Sequence, residues 1–246
     1  MDPDQLENEH FCAYVLNPAT GEIEITDKNF PEIDEWPHKW NKKTVTWKLE
    51  SDTPDIEGRK REEKIIKRGL LRWQIRVKDL KFRMISNKPG RRFALKYGIH
   101  PDMVIHFKLP ENDAYLSGPG KENVLAYAYF PGQGELSGDI TFNEKYVWSA
   151  DGKSRNAHEI DPIHYPADTK VKIATYNLEH VLIHEAGHAI GLRHDKSTKD
   201  SIMYPMYTGK SNLGPRDEAR IQSYYGLRPG YDKLVQRLKG YLSREL

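Results

Sequence analysis

The sequence predicts an α+β domain, and three runs carry that expectation. Thr44–Leu49 alternates apolar and polar side chains as a half-buried strand does. Glu62 to Val77 places Ile65, Ile66, Leu70, Trp73 and Val77 at helical spacing, so a helix follows that strand. A second strong helix begins at Asn177, where Leu178, Val181, Leu182, Ala186, Ala189 and Ile190 form an apolar face.

Between the two helices, β-like runs at Lys81 to Ile85, Met103 to Phe107, Val124 to Phe130 and Asp139 to Asn143 are separated by Gly- and Pro-containing turns, which makes about five strands. Residues 149–174 are polar, hold Pro162 and Pro166 and lack periodicity, so they read as a long surface loop. Gly191 stands where a helix commonly stops in a left-handed conformation. A last helix is expected from about Arg216 to Tyr225, closed by Gly226, and Asp232 to Leu246 is amphipathic through Leu234, Leu238 and Leu242. Residues 1–38, rich in Asp, Glu, Asn and Pro, read as an N-terminal arm or pro-segment; residues 228–246 read as a helical tail.

At 246 residues, with 38 basic and 36 acidic side chains and a formal charge of +2, the chain has no global field that favours nucleic acid or anionic lipid. The basic cluster Lys60, Arg61, Lys64 and Arg68 is interleaved with Glu62 and Glu63, as on a solvated helix face. No run of 18 or more apolar residues is present to span a bilayer. The single cysteine, Cys12, allows no internal disulfide and no cysteine-built zinc site, so a bound metal must use His, Asp or Glu. The N-terminal run is acidic and polar where a secretory signal needs a basic start and an apolar stretch, so no export signal is expected in this chain.

The chemistry is carried by His184-Glu185-Ala186-Gly187-His188, which puts two imidazoles at i and i+4 on one helix face. If Gly191 turns the chain sharply, His194 returns as a third ligand and leaves one tetrahedral position for water. Glu185 faces that open position and is the candidate general base for the zinc-bound water, then the acid for the leaving amine. His180 lies one turn earlier on the same face; three consecutive i, i+4 histidines on a straight helix cannot all reach one ion, which leaves it a supporting or substrate-side place.

His184 to His194 with Met203, in Ser201-Ile-Met-Tyr-Pro-Met-Tyr207, resembles the metzincin signature and its Met-turn. The flanking sequence resembles the matrixins, the family of matrix metalloproteinase catalytic domains, over roughly residues 39–227. Lys39-Trp40, Thr53-Pro54-Asp55, Pro101 to Ile105, Asn123 to Tyr129, Pro131-Gly132, Gly138-Asp139 and Ile221 to Gly226 carry the likeness in order. The resemblance implies a zincin fold: a five-stranded, mostly parallel twisted sheet with an antiparallel edge strand, an active-site helix and a C-terminal helix. It implies that Met203 floors the metal site, that Pro205 to Tyr207 wall the pocket for the residue after the scissile bond, and that Val124 to Phe130 rims the cleft, pairing with an extended polypeptide substrate. A monomer and an extracellular setting are expected by the same likeness.

The sequence also departs from that family. Its second, structural zinc is held by histidines where this chain has Tyr127 and Thr141, and by a His-Gly-Asp segment replaced here by Glu111-Asn112-Asp113. A lone Asp113 cannot hold zinc, so one zinc per chain is expected. Asp102 and Asp139 match a family calcium site, or are simply surface carboxylates; Asp55 and Glu144 retain part of another. Asp195 either braces the Met-turn or is exposed. Cys12 lacks the family's inhibitory context, and His158 and His164 read as surface histidines. The leading function is a zinc endopeptidase. An aminopeptidase of the archaemetzincin type would need downstream cysteines, and a catalytically silent peptide-binding module is argued against by the intact Glu185.

Overall fold

In the computed structural model, residues 39–85 and 100–231 are described; the arm with Cys12 and the amphipathic run from Asp232 onward lie outside the described residues. Strand β1 (Thr44–Leu49) buries Val45, Trp47 and Leu49, as its alternation predicts. Helix α1 (Arg59–Gln74) follows, and β2 (Lys81–Met84) returns parallel to β1. The helix ends three residues before Val77. Beyond Ile75 the backbone is diverted to the end of the last helix, where Val77 bridges Leu227 and Lys78 N–H donates to Gly226 O at 3.0 Å.

Strand β3 (Met103–Lys108) pairs parallel with β1 and with β5 (Ile140–Asn143), and β4 (Ala126–Ala128) pairs antiparallel with β5. The sheet order is β2-β1-β3-β5-β4, so among the described residues β4 is an edge strand with one side free of sheet partners. Only three residues of the expected Val124 to Phe130 run keep strand geometry. Asn143 N–H to Leu125 O (2.9 Å) and Gly138 N–H to Tyr129 O (3.1 Å) extend the contact on either side before the chain turns.

Residues 148–177 correct the expectation of a structureless loop. Strand β6 (Trp148–Ser149) pairs with β9 (Tyr176–Asn177) and closes the excursion at its base. Farther out, β7 (Arg155–Asn156) pairs with β8 (Lys172–Ile173), and the short helix α2 (Ala157–Ile160) is capped by the Asn156 side chain. Strands of two residues leave no periodicity to read, which is why the sequence looked like loop throughout.

Helix α3 (Leu178–Ala189) starts where Asn177 accepts the His180 N–H at 3.0 Å, and all twelve of its residues are buried. It packs against α1, where Trp73 Nε1–H donates to Ile183 O at 2.9 Å. Arg68 and Arg72 of α1 both pair with the buried carboxylate of Glu179 in the first turn of α3. Removing one partner from such a desolvated cluster costs about 3–5 kcal/mol, so the pairing fixes how the two helices meet. Helix α4 (Pro215–Tyr225) opens with Pro at its first position and closes at Gly226. The opening Lys39-Trp40 pair is bound to the far end of α3: Trp40 Nε1–H donates to Ala189 O at 2.9 Å, and Trp40 N–H to Tyr225 Oη at 3.0 Å. Tyr225 Oη–H in turn donates to Ile190 O at 2.9 Å, so carbonyls left over at the helix end gain partners.

One buried carboxyl links this frame to pH. Glu62, in the first turn of α1, accepts Thr53 N–H at 2.8 Å, and burial pushes its pKa from 4.5 up to about 7, with Asp52 and Glu144 raising it further and Arg59 opposing them. The fold favours the neutral form, so its contribution to stability is full below about 4.5 and lost as pH climbs through about 7. Glu62→Gln, which keeps the acceptor and cannot ionise, is expected to reduce the fall in Tm between about pH 5 and about pH 8 by roughly 3 °C or more in calcium-free buffer. Parallel melting profiles for the two proteins would show that Glu62 does not titrate in this way.

Candidate metal centre

His184 and His188 lie one turn apart on α3, and the helix then breaks sharply. Gly191 has φ of 109°, a conformation side chains resist, and Leu192 N–H reaches back to Gly187 O at 2.8 Å. The reversal brings His194 beneath the helix. The three Nε2 atoms form a near-equilateral triangle, with His184 to His188 at 3.1 Å and His194 at 3.2 Å from each.

The protonation of that triangle follows from what lies behind it. His184 Nδ1 is 2.7 Å from Ile202 O, and His188 Nδ1 is 2.7 Å from Leu192 O. A carbonyl only accepts, so both Nδ1 atoms carry the hydrogen and both Nε2 atoms present bare lone pairs. Burial also depresses the imidazoles, His184 to about 4 and His188 well below its ordinary value, which keeps the rings neutral. Converging lone pairs without a proton between them repel, and a cation relieves that repulsion. A tetrahedral zinc with bonds of about 2.05 Å separates its ligand nitrogens by about 3.3 Å, close to the spacing found. Among the described residues this is the group of three His, Cys, Asp or Glu side chains that converges tightly enough to hold a metal ion.

Glu185 is fully buried, and neither carboxylate oxygen has a hydrogen-bond partner among the described residues. Burial raises its pKa well above the ordinary carboxyl value; a neighbouring cation acts in the opposite sense and favours the ionised base. His180 is buried as well, but its ring lies 4.7 Å from that of Tyr207 and stays out of the triangle.

Met203 lies under the site, fully buried, against Gly187, where a Cβ would overlap its sulfur. The small residue inside the histidine motif therefore lets the Met-turn close on the helix. Asp195 braces this turn by two routes. Its N–H donates to Met203 O at 2.8 Å, and its carboxylate accepts from Ser197 and from Arg216 Nε (2.8 Å) on α4. It is buried, so the alternative of an exposed carboxylate is set aside. Pro205 is half-buried. Tyr207 packs its ring at 5.2 Å from Tyr176, and its hydroxyl accepts Asn177 N–H at 3.0 Å.

Both candidate calcium ligands have protein partners of their own. Asp102 is held by Lys42 and by Thr46 N–H and Oγ1–H, both at 2.8 Å, and Asp139 accepts Val104 N–H at 2.6 Å. His158 Nδ1 meets Tyr165 O at 2.6 Å and His164 Nδ1 meets Asp161 at 2.7 Å, both away from the triangle.

Sequence reading missed Asp217. Its fully buried carboxylate accepts from Ser201 Oγ–H, Ile202 N–H (2.8 Å) and Gly214 N–H (2.7 Å), so it anchors Ile202, the residue whose carbonyl receives the His184 Nδ1–H. The Gly-Pro-Arg-Asp opening of α4 marks a helix start, and nothing local says that its first-turn carboxylate faces inward to the Met-turn.

With the geometry in place, comparison with known proteins decides the family: the matrixin family model matches residues 39–226. The chain belongs to the matrixins. It is 32% identical over 215 residues to matrilysin of Felis catus, the match covering 86% of this chain and 66% of that one. Matrilysin of Rattus norvegicus is 30% identical over 194 residues, covering 77% and 60%. Stromelysin-1 of Mus musculus is 28% identical over 193 residues, covering 76% and 33%. The matched part thus spans from about a third to about two thirds of those relatives' own length. The mostly parallel five-stranded sheet with one antiparallel edge strand is the matrixin arrangement expected from the sequence.

The supporting role of Asp217 is measurable in this matrixin. Asp217→Asn is expected to weaken zinc binding by roughly 10- to 100-fold, read by competition with a chromogenic chelator. A lowered Tm with unchanged zinc affinity would reduce Asp217 to a helix cap.

Proposed function

We propose that this chain is a zinc-dependent endopeptidase that hydrolyses internal bonds of extended polypeptides. The observation that carries the reading is the pairing of three converging Nε2 atoms, those of His184 and His188 free of protons, with a buried carboxylate that has no hydrogen-bond partner among the described residues. Its metalloproteinase relatives, among them matrix metalloproteinase-25 of Homo sapiens, support the same chemistry.

His184, His188 and His194 would hold the zinc, which when bound acidifies a water molecule and polarises the scissile carbonyl. Glu185 takes the proton that water gives up as its oxygen adds to the carbonyl carbon, then delivers it to the amide nitrogen as the C–N bond breaks. The products are a new carboxylate and a free amine. Burial of Glu185 suits this exchange, since the carboxyl crosses readily between its two forms when a cation and low polarity oppose each other.

The substrate lies along β4. Among the described residues that edge strand offers unpaired backbone groups for an added strand, and Phe130, two residues past its end, meets the His188 ring edge-on at 5.9 Å, so the rim leads to the metal centre. Backbone pairing accepts many sequences. Selectivity then falls to the pocket walled by Pro205 and Tyr207, with His180 and Tyr176 packed on the Tyr207 ring.

A silent peptide-binding module on the same fold would not require a carboxylate in this place. Glu185→Gln keeps the shape of the side chain and removes the base, so zinc content is expected to stay at the wild-type level while turnover of an unfolded protein substrate falls by about 100-fold or more. Equal digestion by the two proteins would remove Glu185 from the mechanism. Absence of chelator-sensitive cleavage in the wild type would favour the binding module.

A further inference from the structure

The matrixin likeness places a second zinc behind the sheet, and the residues at that place do not fit one. Asp113 has four acceptor sites and four donors. Tyr115 N–H (3.0 Å) and Leu116 N–H (3.2 Å) take Oδ1, while Tyr127 Oη–H (2.8 Å) and Lys108 Nζ (3.3 Å) take Oδ2. The lysine ammonium adds a positive charge where a divalent cation would sit. Tyr127 and Thr141, opposite each other across β4 and β5, contribute neutral hydroxyls, and Thr141 hydrogen-bonds the phenol. Burial pushes the phenol above its ordinary pKa and keeps it a donor.

We propose that this Asp113–Tyr127 knot does mechanically what a structural metal would do, fastening residues 109–125 to the sheet and holding the β4 rim in place for substrate. It joins four pieces of chain: the end of β3 through Lys108, the covering segment through Asp113, β4 through Tyr127 and β5 through Thr141. The covering segment also lays Tyr115 on Tyr127 with ring centroids 4.5 Å apart, and Tyr129 packs edge-on at 5.8 Å on the other side. Leu116 and Val124 complete a small apolar cluster separate from the main core. The Tyr127 side chain lies in that cluster, while its peptide belongs to β4, the edge strand proposed to pair with substrate. Tyr127 is therefore a positioning residue. Its hydroxyl acts on substrate only through the strand that carries it.

Two consequences separate a hydrogen-bonded knot from a metal. The rim stays ordered when the protein is stripped of metal, and losing one hydroxyl weakens substrate binding more than it slows turnover. The second consequence rests on the endopeptidase reading; the first does not.

The experiment uses the full chain and Tyr127→Phe, which keeps the ring. Metal analysis of the wild type is expected to give one zinc per chain. Hydrogen exchange over residues 109–128 is expected to be unchanged after chelation, while exchange over 184–203 rises. In Tyr127→Phe the same 109–128 amides are expected to exchange faster with zinc content unaltered, and KM for a long peptide to rise roughly fivefold with kcat within about twofold. Asp113→Ala, which removes all four acceptor contacts, should exceed Tyr127→Phe in both exchange and KM. Two zincs per chain, or release of 109–128 by the chelator, would overturn the proposal. So would a Tyr127→Phe protein with wild-type exchange and wild-type KM. Should the wild type cleave nothing, the endopeptidase reading fails alone, and the metal count and exchange still decide the knot.

Discussion

Two backbone carbonyls, Ile202 O and Leu192 O, decide the character of this protein. By accepting the Nδ1 hydrogens of His184 and His188 they turn two buried, bare nitrogens toward His194. The arrangement is costly without a cation and favourable with one. Much of the surrounding structure keeps those carbonyls where they are. Leu192 is placed by the reversal at Gly191, and Ile202 by the grip of Asp217 on its N–H. Asp217 belongs to α4 and Arg216 pairs with Asp195, so the last helix acts on the metal centre through the Met-turn without touching it.

The site helix is equally constrained from the other side. A helix buried on every face gains little from amphipathic patterning and depends on what each end and flank meets. At its start, Asn177 caps the first turn and the Arg68–Glu179–Arg72 cluster fixes it on α1. At its end, Trp40 and Tyr225 supply donors to Ala189 O and Ile190 O. Displacing such a helix would leave buried polar groups without partners, each worth about 1–3 kcal/mol, and that penalty is what makes the two histidines a rigid base for the third.

The sheet divides its faces between two tasks. Toward the helices it presents Trp47, Ile105, Phe142 and their neighbours, the main core on which α1 and α3 rest. Toward the covering segment 109–125 it presents hydroxyls and rings, and Asp113 gathers them. The edge strand β4 lies between the two and meets both the site helix and the knot. This is how a strand of three residues, too short to be stable by pairing alone, is held at the edge of the sheet.

The sequence by itself determined the three converging histidines, the carboxyl beside them and the order of elements. HExxH spacing, a glycine three residues later and a third histidine are local facts, and α-helical geometry converts them directly into a metal site. Periodicity placed β1, α1, β3, β5 and α3 within a few residues, because each alternates or repeats against one large core. What tertiary structure alone decided lies where the partner is remote in the chain: the inward aim of Asp217, the attachment of Trp40 to a helix end 149 residues away, the closure of the 148–177 excursion by two-residue strands, and the four donors around Asp113. None of these has a period or a motif. A hydrogen bond between distant residues is specified by where the fold brings their atoms, and only the assembled core fixes that.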